Sequence, residues 1–304
     1  MLRLYQSSIR CCGHQSLPLA CLRYYSSQGS GSGENIAKNV DKTEHIEDEV
    51  EPLPLLQRPL GVREPPTTVP KTRKEKLNDM LDQNKRMEHR RHLLKEASKG
   101  YFQDLNATRH HGGKTWIAPT VMIRQDKSLY FPNISGTALD GSGKKHTTDL
   151  CTGRISVISM LSTKISEIHV AGFTTPTYKR FSTHPLYTQI SINLQENLLK
   201  SFLVTLFLSS IRREVPEALR PTYLASGQNM EYVREDLGMV NKHVGYVYLV
   251  DEMCRVRWAG CADAKVEEAK ALEKCTGILL DRLDKGTKPG SVRGIEGGDV
   301  PSHQ

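Results

Sequence analysis

Residues 154–161 read R-I-S-V-I-S-M-L, and this run decides the fold. It is short, apolar and rich in β-branched residues, with no charge after Arg154. That pattern predicts a strand buried on both faces. Ser162 follows as a plausible helix cap, and Ile165, Ile168 and His169 fall on one helical face. Gly172 and Pro176 are expected to limit that helix. Residues 186–194 return as a second strand. Next come a short strand over 221–226, a short helix over 229–237 and a strand over 243–250. Asp251-Glu252-Met253 turns the chain into residues 255–258, closing a hairpin. A final helix over 264–283 has Asp263 as its expected cap and Glu267 and Glu268 in its first turns. Strand, helix and strand, followed by an antiparallel hairpin and a last helix, is the thioredoxin-like order. The predicted class is α/β, a mixed sheet with flanking helices over residues 112–285.

Between the two halves lies the most apolar segment, N-L-Q-E-N-L-L-K-S-F-L-V-T-L-F-L-S-S-I-R at residues 193–212. Leu198, Leu199, Phe202, Leu203, Leu206, Phe207 and Ile211 recur at helical spacing, and Val204 and Leu208 carry the apolar surface almost all round. A helix of that kind is buried. A membrane span needs roughly 20 apolar residues. This run is shorter and carries Lys200, with Arg212 and Arg213 at its end, so it reads as a core helix.

The chain has 304 residues, a net charge of +8, 38% hydrophobic and 25% charged residues. Its mean hydropathy of -0.47 argues against an integral membrane protein. The basic balance suits nucleic acid, an anionic membrane face or an acidic partner, and charge alone does not choose among them. Residues 1–33 contain no Asp or Glu, but include Arg3, Arg10, Arg23 and many serines. That is the composition of a mitochondrial transit peptide, with cleavage expected near Tyr25. Residues 1–25 are therefore read as leader and 26–51 as a disordered acidic linker. Residues 286–304 read as a polar, disordered tail.

Residues 52–111 precede the domain. Pro52, Pro54, Pro59, Pro65, Pro66 and Pro70 make the first part extended. Its Leu53, Leu55, Leu56, Leu60 and Val62 suggest that it docks. Residues 71–103 lack Pro, and lack Gly before Gly100; they read as one long basic helix with a thin apolar stripe. No aromatic residues interleave its basic ones, so nucleic acid is not expected. Residues 114–131 read as a β-hairpin, and Gly141-Ser142-Gly143 with Lys144 and Lys145 as a loop without phosphate-loop spacing.

A thioredoxin-type enzyme carries its reactive cysteine just after the first core strand, at a helix start that lowers the thiol pKa. Here that position reads Leu161-Ser162-Thr163-Lys164. The position where such enzymes carry a cis-proline reads Asn241-Lys242-His243. There is no C-x-x-C among the seven cysteines. Neither a zinc ribbon nor a dithiol motif is supported. His110-His111 lacks companions at ligand spacing, and no nucleophile–base–acid order suggests a triad. No cofactor or metal is expected, and the chain does not read as an enzyme. An alternative keeps Cys254 and Cys261 as a thiol or metal-handling pair.

The tracts Arg58-Pro59-Leu60-Gly61, residues 112–119, residues 129–136, residues 193–200 and residues 245–264 together resemble the fungal mitochondrial ATP synthase assembly factors of the Atp-ten family. The last tract, G-Y-V-Y-L-V-D-E-M-C-R-V-R-W-A-G-C-A-D-A, is the most specific. The resemblance covers most of the chain from Pro52 to Leu283. It implies a non-catalytic chaperone, peripheral on the matrix side of the mitochondrial inner membrane. Its partners would be newly made subunit a (subunit six) and the c-subunit ring that subunit a joins. An apolar client needs an exposed apolar surface. The sequence points to Trp116 first, then Tyr130, Phe131 and Leu60, because large apolar residues there have weak reasons to be buried.

Overall fold

A computed structural model describes residues 52–69, 72–84, 86–87, 90–91, 94, 111–195, 208 and 210–287. At its centre is β3 (Ile155–Leu161), every residue of which is buried. Two short strands precede it, β1 (Ser135–Ala138) and β2 (Lys144–His146). After it come β4 (Tyr187–Leu194), β5 (Tyr223–Ser226), β6 (Tyr246–Val250) and β7 (Val256–Cys261). The sheet order is β2-β1-β5-β4-β3-β6-β7. β3 runs parallel to β4 and antiparallel to β6, and β6 and β7 form the hairpin. A parallel pair beside an antiparallel hairpin, closed by a final helix, is the thioredoxin-like arrangement. β5 extends it in parallel, and the antiparallel pair β1–β2 extends it further.

The helices whose two ends lie within the described residues are α1 (Arg73–Leu81), α2 (Thr147–Cys151), α3 (Lys164–Phe181), α4 (Glu231–Arg234) and α5 (Val266–Thr287). α3 packs on α5, and both cover the sheet face that carries Val247, Leu249, Trp258 and Gly260. Strand alternation and cross-strand pairing put these four side on one face. The Phe173 ring meets Trp258 edge-on at 5.9 Å between centroids. A Cβ on Gly260 would sit 2.9 Å from Phe173, so only glycine lets the helix come this close. The opposite face, with Tyr246, Tyr248 and Cys261, is covered by residues from outside the core order. Phe131 packs on Tyr248 at 5.4 Å, and the Cys261 thiol donates to the Trp116 carbonyl.

The proline-rich segment docks, as its apolar residues suggested. Ile117 N–H donates to Pro54 O and Leu56 N–H to Ile117 O; Val62 and Tyr130 exchange backbone bonds in both directions. These are single bridges and not strands, as a segment short of N–H donors must form. Gly61 has φ +127, and a Cβ there would lie 2.6 Å from Tyr130 O. Arg58 donates to the Glu235 carbonyl and Gly61 N–H to Asp236 O. Between them Leu60 reaches the core, 1% exposed, with Trp116 and Gly238 beside it.

Several expectations are corrected. Residues 114–131 are not a hairpin. Their first half pairs with the proline-rich segment, and their second half pairs with residues 254–256. Pro119 interrupts any continuous ladder, since it has no N–H to donate. Gly141-Ser142-Gly143 is loop as expected, but Lys144 and Lys145, read as part of it, begin β2. α3 begins from Thr163, not Ser162: Thr163 Oγ1 accepts Ser166 N–H at 3.1 Å. It runs on through Gly172 and Pro176, which both lie on its exposed side. Water can therefore take the carbonyl that the missing Pro176 N–H leaves unbonded. α5 is not capped by Asp263. Glu268 reaches back to the Lys265 N–H at 2.9 Å, the carboxylate half of a capping box.

The basic segment is also not one unbroken helix. A Thr72–Glu75 capping box starts α1, and Asp82 ends it in an extended conformation, φ -65 and ψ 115. The same Asp82 carboxylate accepts Asn84 N–H at 2.9 Å and starts the next helical stretch. The apolar run 196–207 lies outside the described residues. Among those described, no helix is long and apolar enough to cross a membrane.

Among the described residues, two ion pairs are buried. Lys114 Nζ lies 2.7 Å from Glu268 Oε2, and Arg257 lies 3.1 Å from Asp251. Removing one partner strands the other charge out of water, which costs about 3–5 kcal/mol, whereas an exposed pair contributes about 0–1 kcal/mol. Lys114→Met is therefore expected to lower unfolding free energy by about 3–5 kcal/mol in urea titration. Arg124→Gln, which breaks the exposed pair with Asp126, is expected to change it by less than about 1 kcal/mol.

Candidate functional site

In a thioredoxin-like sheet the chemically privileged place is the start of the helix after the first core strand, where backbone N–H groups lower a thiol pKa. Here Ser162 and Thr163 stand there. The Ser162 hydroxyl donates to Lys242 O at 2.8 Å and the Thr163 hydroxyl to His243 O at 2.9 Å. Ser166 Oγ accepts the N–H groups of both Ser162 and Thr163. The donors that would hold a thiolate are spent on the chain itself, and the facing loop is tied down over them. The cavity beneath, lined by Leu161, Leu194, Met239 and Tyr246, has only about 10 Å³. That is about the room of a single water.

The thiols sit elsewhere. Cys151, Cys254, Cys261 and Cys275 are all buried and free. Burial pushes the Cys151 thiol up to about 12, and burial likewise raises Cys254, Cys261 and Cys275. Cys254 precedes β7, with its sulfur 3.7 Å from Thr152 Oγ1, while Cys261 ends the same strand against Trp116 O. Seven residues of strand put these two roughly 20 Å apart. The structure thus does not bring together the pair that the thiol reading needs. Among the described residues, no cluster of three or more His, Cys, Asp or Glu could hold a metal.

Of the four expected contact residues, Leu60, Trp116 and Phe131 are core and Tyr130 is half-buried at its edge. Trp116 is 6% exposed, and its Nε1–H donates to Gly238 O at 3.3 Å. Leu60 lies against the same Gly238, and Phe131 is buried on Tyr248. Tyr130 is half-buried, its hydroxyl accepting from Arg255 at 3.0 Å, with the guanidinium over its ring. The expectation of exposure fails because these residues form the missing cover of the second sheet face.

One exposed apolar surface lies on α3; another lies on α1, where Leu77, Met80 and Leu81 are also exposed. Ile165 is 57% and Ile168 67% exposed, and Ala171, Gly172, Thr175 and Pro176 continue the same side. From Ile168 to Tyr178 this helix carries no Asp, Glu, Lys or Arg. A surface helix ordinarily turns charge outward; α3 does so only at its ends, with Lys164 and Glu167 at the start and Lys179 and Arg180 in the last turn, and its middle is uncharged. The sequence signal was available in the Ile165–Ile168 spacing and the charge-free run beyond it.

A family model described as "ATP10 protein" matches residues 35–279. Mitochondrial ATPase complex subunit ATP10 of Saccharomyces cerevisiae is 33% identical over 236 residues, covering 72% of this chain and 84% of that protein. The protein of the same description from Eremothecium gossypii is 30% identical over 233 residues, covering 72% of this chain and 83% of that protein. Among solved structures, a putative thiol:disulfide interchange protein DsbE from Chlorobium tepidum is similar at a TM-score of 0.37 and 13% identity, over 50% of this chain and 95% of that one.

Raised thiol pKa values keep the nucleophilic thiolate scarce. At pH 8, alkylation of Cys151, Cys254, Cys261 and Cys275 by iodoacetamide is expected to be at least about tenfold slower in the folded protein than in urea, followed peptide by peptide by mass spectrometry. Fast modification of Cys254 or Cys261 in the folded protein would revive the thiol reading.

Proposed function

The chain belongs to the ATP10 protein family, and on that footing we propose that it is a mitochondrial assembly factor for the ATP synthase. In this reading it is a chaperone and not an enzyme. It holds newly made subunit a, the very apolar proton-channel subunit, until that subunit joins the c-subunit ring. It works on the matrix side of the inner membrane as a peripheral protein. The basic residues around α1, such as exposed Arg73 and Lys74, support that placement. Each basic residue near an anionic leaflet contributes about 1 kcal/mol.

The observation that carries the proposal is the outward face of α3. A protein that shelters an apolar helix needs uncharged, shape-compatible surface, with small residues that admit close approach. Ile165 and Ile168 provide the apolar area, and Ala171 provides the flat ground beside them. The closed redox position on the same helix supports binding over chemistry. These residues replace Trp116, Phe131 and Leu60, whose burial commits them to the core.

Placing charge on this face should abolish capture without unfolding the domain, because both side chains already face solvent. Ile165→Asp/Ile168→Asp is expected to keep its thermal midpoint within a few degrees while recovering about tenfold less pulse-labelled subunit a from isolated mitochondria. Undiminished capture by the folded variant would remove α3 from the client surface. Failure of the unaltered protein to recover subunit a would overturn the functional reading itself.

A further inference from the structure

A second surface is built quite differently, and it goes beyond the client reading. Between residues 120–126 and α5 runs a groove of about 460 Å³. Val121, Met122 and Ile278 supply its apolar lining, and Arg124, Lys274 and Arg282 supply its cations. Asp126 is the acid in the lining, and it is spent on Arg124 at 3.1 Å. Arg257 at the floor is held by Asp251 at 3.1 Å and by Ile123 O at 2.9 Å. Lys274 and Arg282 have no carboxylate partner among the described residues. Of the acids on the neighbouring turns of α5, Glu273 meets Arg180 at 2.7 Å, and Asp281 lies on the adjoining side of the helix, in a depression that Lys274 and Ile278 also line, and does not line the groove itself.

Lys274, Ile278 and Arg282 recur four apart, so they form one stripe along α5. The rise of a helix puts the two cations about 12 Å apart, with the apolar residue midway. Acidic residues seven apart on a partner helix lie about 10.5 Å apart and flank an apolar residue at the third or fourth position. The two patterns are complementary in charge, spacing and hydrophobicity. We infer that this groove docks an acidic amphipathic helix of a partner protein, with Lys274 and Arg282 meeting its carboxylates and Val121, Met122 and Ile278 its apolar stripe. A concave site of this volume accepts side chains, whereas an anionic bilayer favours a convex basic face.

The probe is a fluorescein-labelled, helix-stabilised peptide with two glutamates seven positions apart on one face with a leucine. Binding to the full chain is read by fluorescence anisotropy. The expected result is saturable, salt-weakened binding, reduced about tenfold by Lys274→Gln/Arg282→Gln and equally by exchanging the peptide's glutamates for glutamines. Val121→Asp, on the facing wall, is expected to weaken it too, with thermal midpoints confirming that both variants fold. The α3 variant Ile165→Asp/Ile168→Asp should bind the peptide normally, which separates this site from the client face. No binding by the unaltered chain, or binding indifferent to these changes, would overturn the proposal. So would a double variant that loses binding to vesicles containing anionic phospholipid while keeping the peptide, since the groove would then read a membrane surface.

Discussion

One carboxylate joins parts of this fold that lie 150 and 154 residues apart in the sequence. Glu268 in the first turn of α5 accepts Lys114 Nζ at 2.7 Å, Ala118 N–H at 2.8 Å and Lys265 N–H at 2.9 Å. Lys114 in turn donates to the Cys261 and Asp263 carbonyls, at 3.0 and 2.8 Å. The end of β7, the start of α5 and the 114–118 segment are therefore tied at one buried point. Burying both charges costs several kcal/mol before their attraction is counted, so the pair adds little net stability over an apolar filling. Its consequence is geometric. With 114–118 fixed, Ile117 can take the proline-rich segment, Trp116 can lie on Cys261, and Leu60 can close the second face of the sheet.

That closure leaves the redox position of a thioredoxin-like order occupied by the chain itself. The helix start that would carry a reactive cysteine instead holds Ser162 and Thr163, bonded to the carbonyls of Lys242 and His243. The four core thiols are packing residues with raised pKa values. On the surface, α3 presents the exposed Ile165 and Ile168, and α5 borders a groove lined by Lys274 and Arg282.

The sheet was legible because its strands are unambiguous. The run at residues 154–161 and the pair 243–250 and 255–258 carry β-branched and aromatic residues bounded by turn chemistry, and they form β3, β6 and β7. Local patterning could not show where residues 114–131 pair, because their partners lie about 60 positions before and about 130 after them. A hairpin is the cheapest local reading of two apolar runs, and tertiary pairing overrode it. The same limit misplaced Trp116: an aromatic residue outside the core order looks free until the uncovered face of Tyr246 and Tyr248 is known. Pro176 misled in the other direction. Proline and glycine break helices on average, but on a solvent face the freed carbonyl is not stranded. The Ile165 and Ile168 stripe was visible, yet only the sheet shows that the core takes the other side of α3.

The central claim is that residues 52–69 and 112–119 belong to the core and are not appendages. Native-state hydrogen exchange on the full chain tests this directly, since amides of a cooperative unit open together. The account predicts that Gly61, Val62, Ile117 and Ala118 exchange as slowly as the amides of β6 and β7. Fast exchange at those four positions, with the sheet still protected, would show that these two segments open independently and would contradict it.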